Sequence, residues 1–135
     1  MKSFGSQPIS STSGGILRMF GIRNNLFAIC YSNTIYSLIV STDFGETWSV
    51  FANNVAPNFA DLTFENIDGN LYAYYMSHIF KFSLSGNSLD YVELDNDGLE
   101  TNQITGINKA GKYAFVSTLS GLYYRDTTNF ETPKK

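Results

Sequence analysis

Short apolar runs alternate with polar turn residues along the whole chain, and the runs come in sets of four. The first set occupies residues 17–22, 26–31, 35–40 and 48–51, and the second 62–67, 71–76, 79–82 and 91–94. The third holds 104–107, a run opening at Tyr113, 122–124, and a weaker run around Phe130. Each run is too short for a helix, and no long segment carries a 3.6-residue apolar period, so the pattern predicts strands throughout. Arg23-Asn24-Asn25, Asp68-Gly69-Asn70 and Ala110-Gly111 separate the first run of each set from the second, as turn chemistry requires.

The sets are copies of one another. Asn25-Leu26-Phe27-Ala28 returns as Asn70-Leu71-Tyr72-Ala73 and, more weakly, as Gly111-Lys112-Tyr113-Ala114, a period of about 40 residues. Four strands per repeat at that period predict β-propeller blades. The second run of the middle copy, Leu71-Tyr72-Ala73-Tyr74-Tyr75-Met76, is apolar throughout, as expected of a strand covered on both faces. The expected fold is therefore all-β: three four-stranded antiparallel blades at about 16–56, 57–99 and 100–135. A Ser/Gly arm at residues 1–15 precedes them. Three blades do not close a ring, since propellers have at least four. Another chain, or a further part of this one, is expected to complete the arc, most simply a second copy giving six blades.

Composition narrows the function classes. Nine Lys and Arg stand against twelve Asp and Glu, a net charge of −3, with no basic cluster for a phosphate backbone, so no nucleic-acid partner is expected. Tyr and Phe are abundant, which favours strands. One cysteine, Cys30, and one histidine, His78, leave no set for a disulfide, a Cys-based zinc site or a multi-His metal site. No cofactor or metal is expected. The apolar runs are far shorter than the roughly 20 residues of a spanning helix, so no membrane insertion is expected. Residues 1–15 lack a signal-peptide core, which fits a cytoplasmic or virion-associated location.

One motif is specific. Ser41-Thr42-Asp43-Phe44-Gly45-Glu46-Thr47-Trp48 fits the pattern S-x-D-x-G-x-T-W at every defined position, between the third and fourth strands of the first repeat. Ser41 and Asp43 can hydrogen-bond the turn backbone, Gly45 supplies a positive φ, and the Trp48 ring is expected to bury beside the turn. The motif resembles the Asp box of the BNR/Asp-box repeat propellers, the family of sialidase-like blades and of many bacterial and phage surface proteins. That resemblance implies a structural role for Ser41, Asp43, Gly45, Thr47 and Trp48, away from any active site. The later copies have decayed, to Ser83-Leu84-Ser85-Gly86-Asn87 and to Arg125-Asp126-Thr127-Thr128-Asn129-Phe130.

Candidates for chemistry are weak. Sialidases of this family use three arginines, and this chain has Arg18, Arg23 and Arg125, without the family's Arg-Ile-Pro signature. Glu93 to Gly98 resembles the start of a calcium loop but lacks the closing glutamate, the twelfth position being Ile104. No catalytic residue is assigned. The expected function is a non-catalytic binding or structural module that self-assembles and presents loops to protein or glycan, in a virion or surface assembly. The alternative is a sialidase-like glycosidase whose site oligomerisation completes. The loops joining strands two to three and four to one are the expected recognition surface, represented by Asn33, Asn54, His78, Asn96 and Ser120.

Overall fold

The computed structural model describes residues 15–53, 57–99 and 101–135. Among them the chain is all-β, with three antiparallel sheets and two short helical turns. The first sheet runs β1 (Gly15–Ile22), β2 (Asn25–Ser32), β3 (Ile35–Ser41) and β4 (Ser49–Ala52), in that spatial order. A 3-10 turn, Pro57–Asp61, follows. The second sheet is the same meander, β5 (Thr63–Ile67), β6 (Asn70–Tyr75), β7 (His78–Ser85) and β8 (Ser88–Leu94). The third holds β9 (Ile104–Ala110), β10 (Tyr113–Thr118) and β11 (Gly121–Asp126), and α1 (Thr127–Phe130) ends the last turn. Among the described residues no sheet closes on itself. No helix among the described residues is long and apolar enough to cross a membrane.

The expected fourth strand of the third repeat is absent. Phe130 lies in α1 and buries its ring against Tyr72, centroids 5.5 Å apart. Asp126 caps the helix by accepting from the Thr128 amide at 2.9 Å, so the Asp-Thr-Thr sequence starts a helix and not a hairpin. The chain then turns to the second sheet. Pro133 bridges antiparallel to Leu94 at the outer edge of β8, flanked by Asp95 N–H to Thr132 O and Lys134 N–H to Glu93 O.

The chain forms two compact units, residues 1–61 and 62–135. In the first, Phe27 to Cys30 are all buried, so both faces of β2 are covered. Phe27 stacks on Phe20 at 5.3 Å and meets Phe51 edge-on at 5.2 Å. In the second unit, Leu71 to Tyr74 of β6 are likewise buried. One face of the second sheet packs on one face of the third. Ile67, Tyr72, Tyr74, Ile79 and Leu94 join Ile104, Ile107, Ala114 and Val116 in one core. Polar links also cross this seam: the Tyr74 hydroxyl donates to Thr105 O at 2.8 Å, and the Ile107 amide donates to Glu65 at 3.0 Å, among others. Along β10 burial alternates, with Ala114 and Val116 inside and Tyr113 and Phe115 half-exposed. The third sheet thus has one covered face and one uncovered face.

Candidate functional site

In the first unit, the motif residues 41–48 form the hairpin between β3 and β4. The Ser41 hydroxyl is buried, accepts from the Gly45 amide at 2.8 Å and donates to Asp43 Oδ1 at 2.8 Å. Asp43 then accepts from the Thr47 amide at 2.8 Å and from the Thr47 hydroxyl. These bonds, the Thr47 hydroxyl's first, hold the Asp43 carboxyl below its ordinary range. Gly45 has φ 90°, open to glycine at little cost. Trp48 corrects an expectation: its ring is half-buried, and its Nε1 donates to Gly45 O at 3.2 Å. The turn is therefore held by a polar ring of Ser41, Asp43 and Thr47, with the indole clipped on from outside.

In the second unit, three loops meet at one end of the paired sheets. They are the β6–β7 turn at Met76-Ser77, the β8–β9 connection at 95–103, and the β10–β11 turn at Leu119-Ser120. Asn96 Nδ2 donates to Ser77 O at 2.7 Å, and the Ile104 amide donates to Met76 O at 2.8 Å. The Leu119 amide donates to Gln103 O at 3.1 Å, and Ser120 Oγ donates to Asn102 Oδ1. Asn102 also donates to the Tyr123 hydroxyl at 2.9 Å. The structure thus places Asn96 beside the His78 turn and ties Ser120 to the same loop system through Asn102. Met76 and Leu119 stand exposed among these polar groups.

His78 is not a loop residue. It opens β7 opposite Tyr75, and its Nδ1 lies 3.3 Å from Glu93 Oε2. Glu93 also takes Lys134 at 3.0 Å. Burial pushes the Glu93 carboxyl up, but the hydrogen bonds of Lys134 and His78 outweigh it and the net direction is down. Asn33 lies in the first unit, in a two-residue turn where Asn33 and Thr34 have φ of 51° and 65°. Asn54 lies outside the described residues.

In the acidic stretch after β8, the Asp95 carboxylate is paired with the chain's own Arg125. Arg125 Nη1 donates to the Asp95 carbonyl and carboxylate, both at 3.1 Å, and Nη2 donates to Asp97 O at 2.6 Å. No group of three potential metal ligands occurs among the described residues. Beside this fork lies a cleft of about 120 Å³ bordered by Ile79, Leu99, Val116 and Phe130. Ligand pockets are usually roughly 300–1,000 Å³, so it suits a side chain better than a substrate.

One cluster was not singled out in the sequence. Tyr72, fully buried, donates its hydroxyl to Glu131, and Lys109 Nζ donates to that hydroxyl at 2.7 Å. Lys81 and Lys109 reach the two Glu131 oxygens at 3.0 and 3.3 Å. Burial is the largest effect on both acids. It raises Tyr72, helped by Glu131, while for Glu131 the three donors reverse it and the carboxyl ends below its ordinary range. Period-2 spacing puts Lys109 on the same face as Ile107 and Lys81 on the same face as Ile79, and these cations on core faces are the signal the sequence held.

No known family model, curated protein or solved structure matches the chain.

Proposed function

We propose that this chain is a non-catalytic recognition module, an arc of Asp-box propeller blades that displays loops to a protein or glycan and is completed by a second copy within a larger virion or surface assembly. The reading rests on one observation above the others. Three separate connections of the second unit, at 76–77, 95–103 and 118–121, are drawn together and hydrogen-bonded at one end of two packed sheets. Polar loops on a rigid sheet base are the common location of recognition surfaces. The repeated meander and the motif at 41–48 support the blade reading.

Arg125, engaged by the β8–β9 connection through three bonds, favours binding over glycoside hydrolysis. A glycan panel probed with the full chain tests the proposal. Wild type should bind at least one glycan class, and Asn96→Ala with Ser120→Ala should abolish that binding without loss of fold. Turnover of a fluorogenic sialoside by the purified chain, or binding indifferent to both substitutions, would overturn it.

A further inference from the structure

In the first two repeats the third strand has a neighbour on each side, an antiparallel fourth strand lying beyond it: β4 beside β3 and β8 beside β7. β11 holds the same place in the third repeat and pairs with β10 alone among the described residues. The chain beyond it turns through α1 to the edge of β8 instead. The Thr127 amide donates to Lys112 O, which makes these two residues a hydrogen-bonded pair. Bonding alternates along antiparallel strands. Arg125, opposite Ala114, and Tyr123, opposite Val116, therefore bond β10, while Leu122 and Tyr124 aim their amides and carbonyls outward. The other edge of the same sheet is capped. Glu65 accepts from the Ile107 amide at 3.0 Å, Asn108 Oδ1 from the Lys109 amide at 2.9 Å, and Thr105 O from the Tyr74 hydroxyl at 2.8 Å. On β11 the charged side chains serve the chain's own groups, Arg125 at Asp95 and Asp97 and Asp126 at Thr128. Leu122 and Tyr124 are 68% and 67% exposed. An edge left in this state is a template for a further strand.

The cleft of about 120 Å³ lies along this edge. Tyr123, Tyr124 and Arg125 all border it. Successive side chains of a strand point to opposite faces, so a cleft touched by three consecutive residues follows the backbone of the strand. Its walls are Ile79, Leu99, Val116 and Phe130, all apolar, and Asp95 and Asp97 stand at its rim with Arg125.

We infer that β11 and this cleft form a docking site for an extended segment of another protein, which adds to β11 as an antiparallel fourth strand and seats one aliphatic side chain in the cleft. In strand addition the main chain supplies affinity and the pocket selects the side chain. The chemistry of the occupant follows from the geometry. A residue opposite Tyr123 faces the cleft, whose size and apolar walls take Leu, Ile or Met and reject a carboxylate. The residues on either side of it bond Leu122 and Tyr124. The β11 strand of a second copy does not meet this demand, because it carries only Gly121, Tyr123 and Arg125 on the face that would meet the cleft.

The test uses the full chain and the end-blocked peptide Lys-Thr-Val-Leu-Val-Thr-Lys, with binding read by titration and by amide hydrogen exchange. In the free chain the Leu122 and Tyr124 amides should exchange freely, and saturating peptide should slow both. Replacing the central Leu of the peptide by Asp should weaken binding roughly tenfold or more. N-methylation of either flanking Val should weaken it roughly tenfold or more as well, since those amides face β11. N-methylation of the central Leu should be tolerated, because its amide points away. Tyr124→Pro removes one outward amide at an exposed position and leaves the β10 pairing intact, so it should keep the wild-type circular dichroism and lose the peptide. The comparisons made in the peptide leave the protein unaltered and do not depend on how that variant folds. Failure of the Leu peptide and of its Ile and Met counterparts to bind overturns the inference. So does equal binding of every N-methylated form, which would mean a side chain in the cleft with no added strand. Leu122 and Tyr124 amides already protected in the free chain would mean that this chain or a second copy fills the edge, and would overturn it too. Glycan binding through Asn96 and Ser120 is read independently, so the recognition proposal stands or falls apart from these outcomes.

Discussion

Ser41 is 1% exposed and polar, and its hydroxyl serves Gly45 and Asp43 together. Ser41→Ala leaves the buried Gly45 amide without an acceptor, so the chain should lose about 1–3 kcal/mol in a urea titration. Trp48→Ala should cost less than a core aromatic, about 1–2 kcal/mol, because its ring is only half-buried. The Tyr72–Glu131 pair gives stability a dependence on pH at both ends. Glu131 is lowered from 4.5 on folding, so its share is present above that value and is lost as pH falls below it. Tyr72 is raised from 10.0, so its share is present below 10.0 and is lost as pH rises past it. Melting curves of Glu131→Gln should therefore be flatter than wild type on the acid side, and those of Tyr72→Phe flatter on the alkaline side. The motif hairpin was legible because a short-range polar ring needs particular residues at fixed spacing. The Tyr72–Lys109–Glu131 cluster was not, since its members lie far apart in sequence and only packing of the two sheets brings them together.

At the scale of elements, apolar runs bounded by turn residues located the strands, including the primed hairpin at Asp68-Gly69 with φ of 52° and 79°. The end of the chain escaped this reading. Residues 131–135, Glu-Thr-Pro-Lys-Lys, have no alternation, and their pairing with β8 is set by backbone geometry alone. Pro133 is suited to it. The flanking bonds use Asp95 N–H with Thr132 O and Lys134 N–H with Glu93 O, so Pro133 sits at a non-hydrogen-bonded position and its missing N–H costs nothing. Lys134 is different, because its amide is used. Lys134→Pro should release this edge, costing about 1 kcal/mol and speeding amide exchange at Asp95. Lys134→Ala keeps the amide and should leave Asp95 protected even though the ion pair to Glu93 is gone. Equal exchange in the two variants would mean that the ion pair, and not the backbone, holds the segment.

For the whole molecule, charge is too sparse to organise the fold: 16% of residues carry it, and of the acidic groups described above Glu93, Asp95 and Glu131 face the chain's own cations. Cohesion must come from apolar contact between sheets. In the unit formed by residues 62–135 that contact is one core to which the second and third sheets both contribute. Ile79 sits in it, 1% exposed, on β7 and opposite both Tyr74 and Leu94. Truncating a buried isoleucine to alanine removes about 2–5 kcal/mol. Because the core is shared, the loss should not stay in the sheet that carries the substitution. Native-state hydrogen exchange on Ile79→Ala should show Ala73 of β6 and Val116 of β10 losing protection by the same factor. Unchanged protection at Val116 would mean that the third sheet holds together without the second. In that case a face-to-face stack of repeats, in this chain or between two copies of it, would lose its energetic basis.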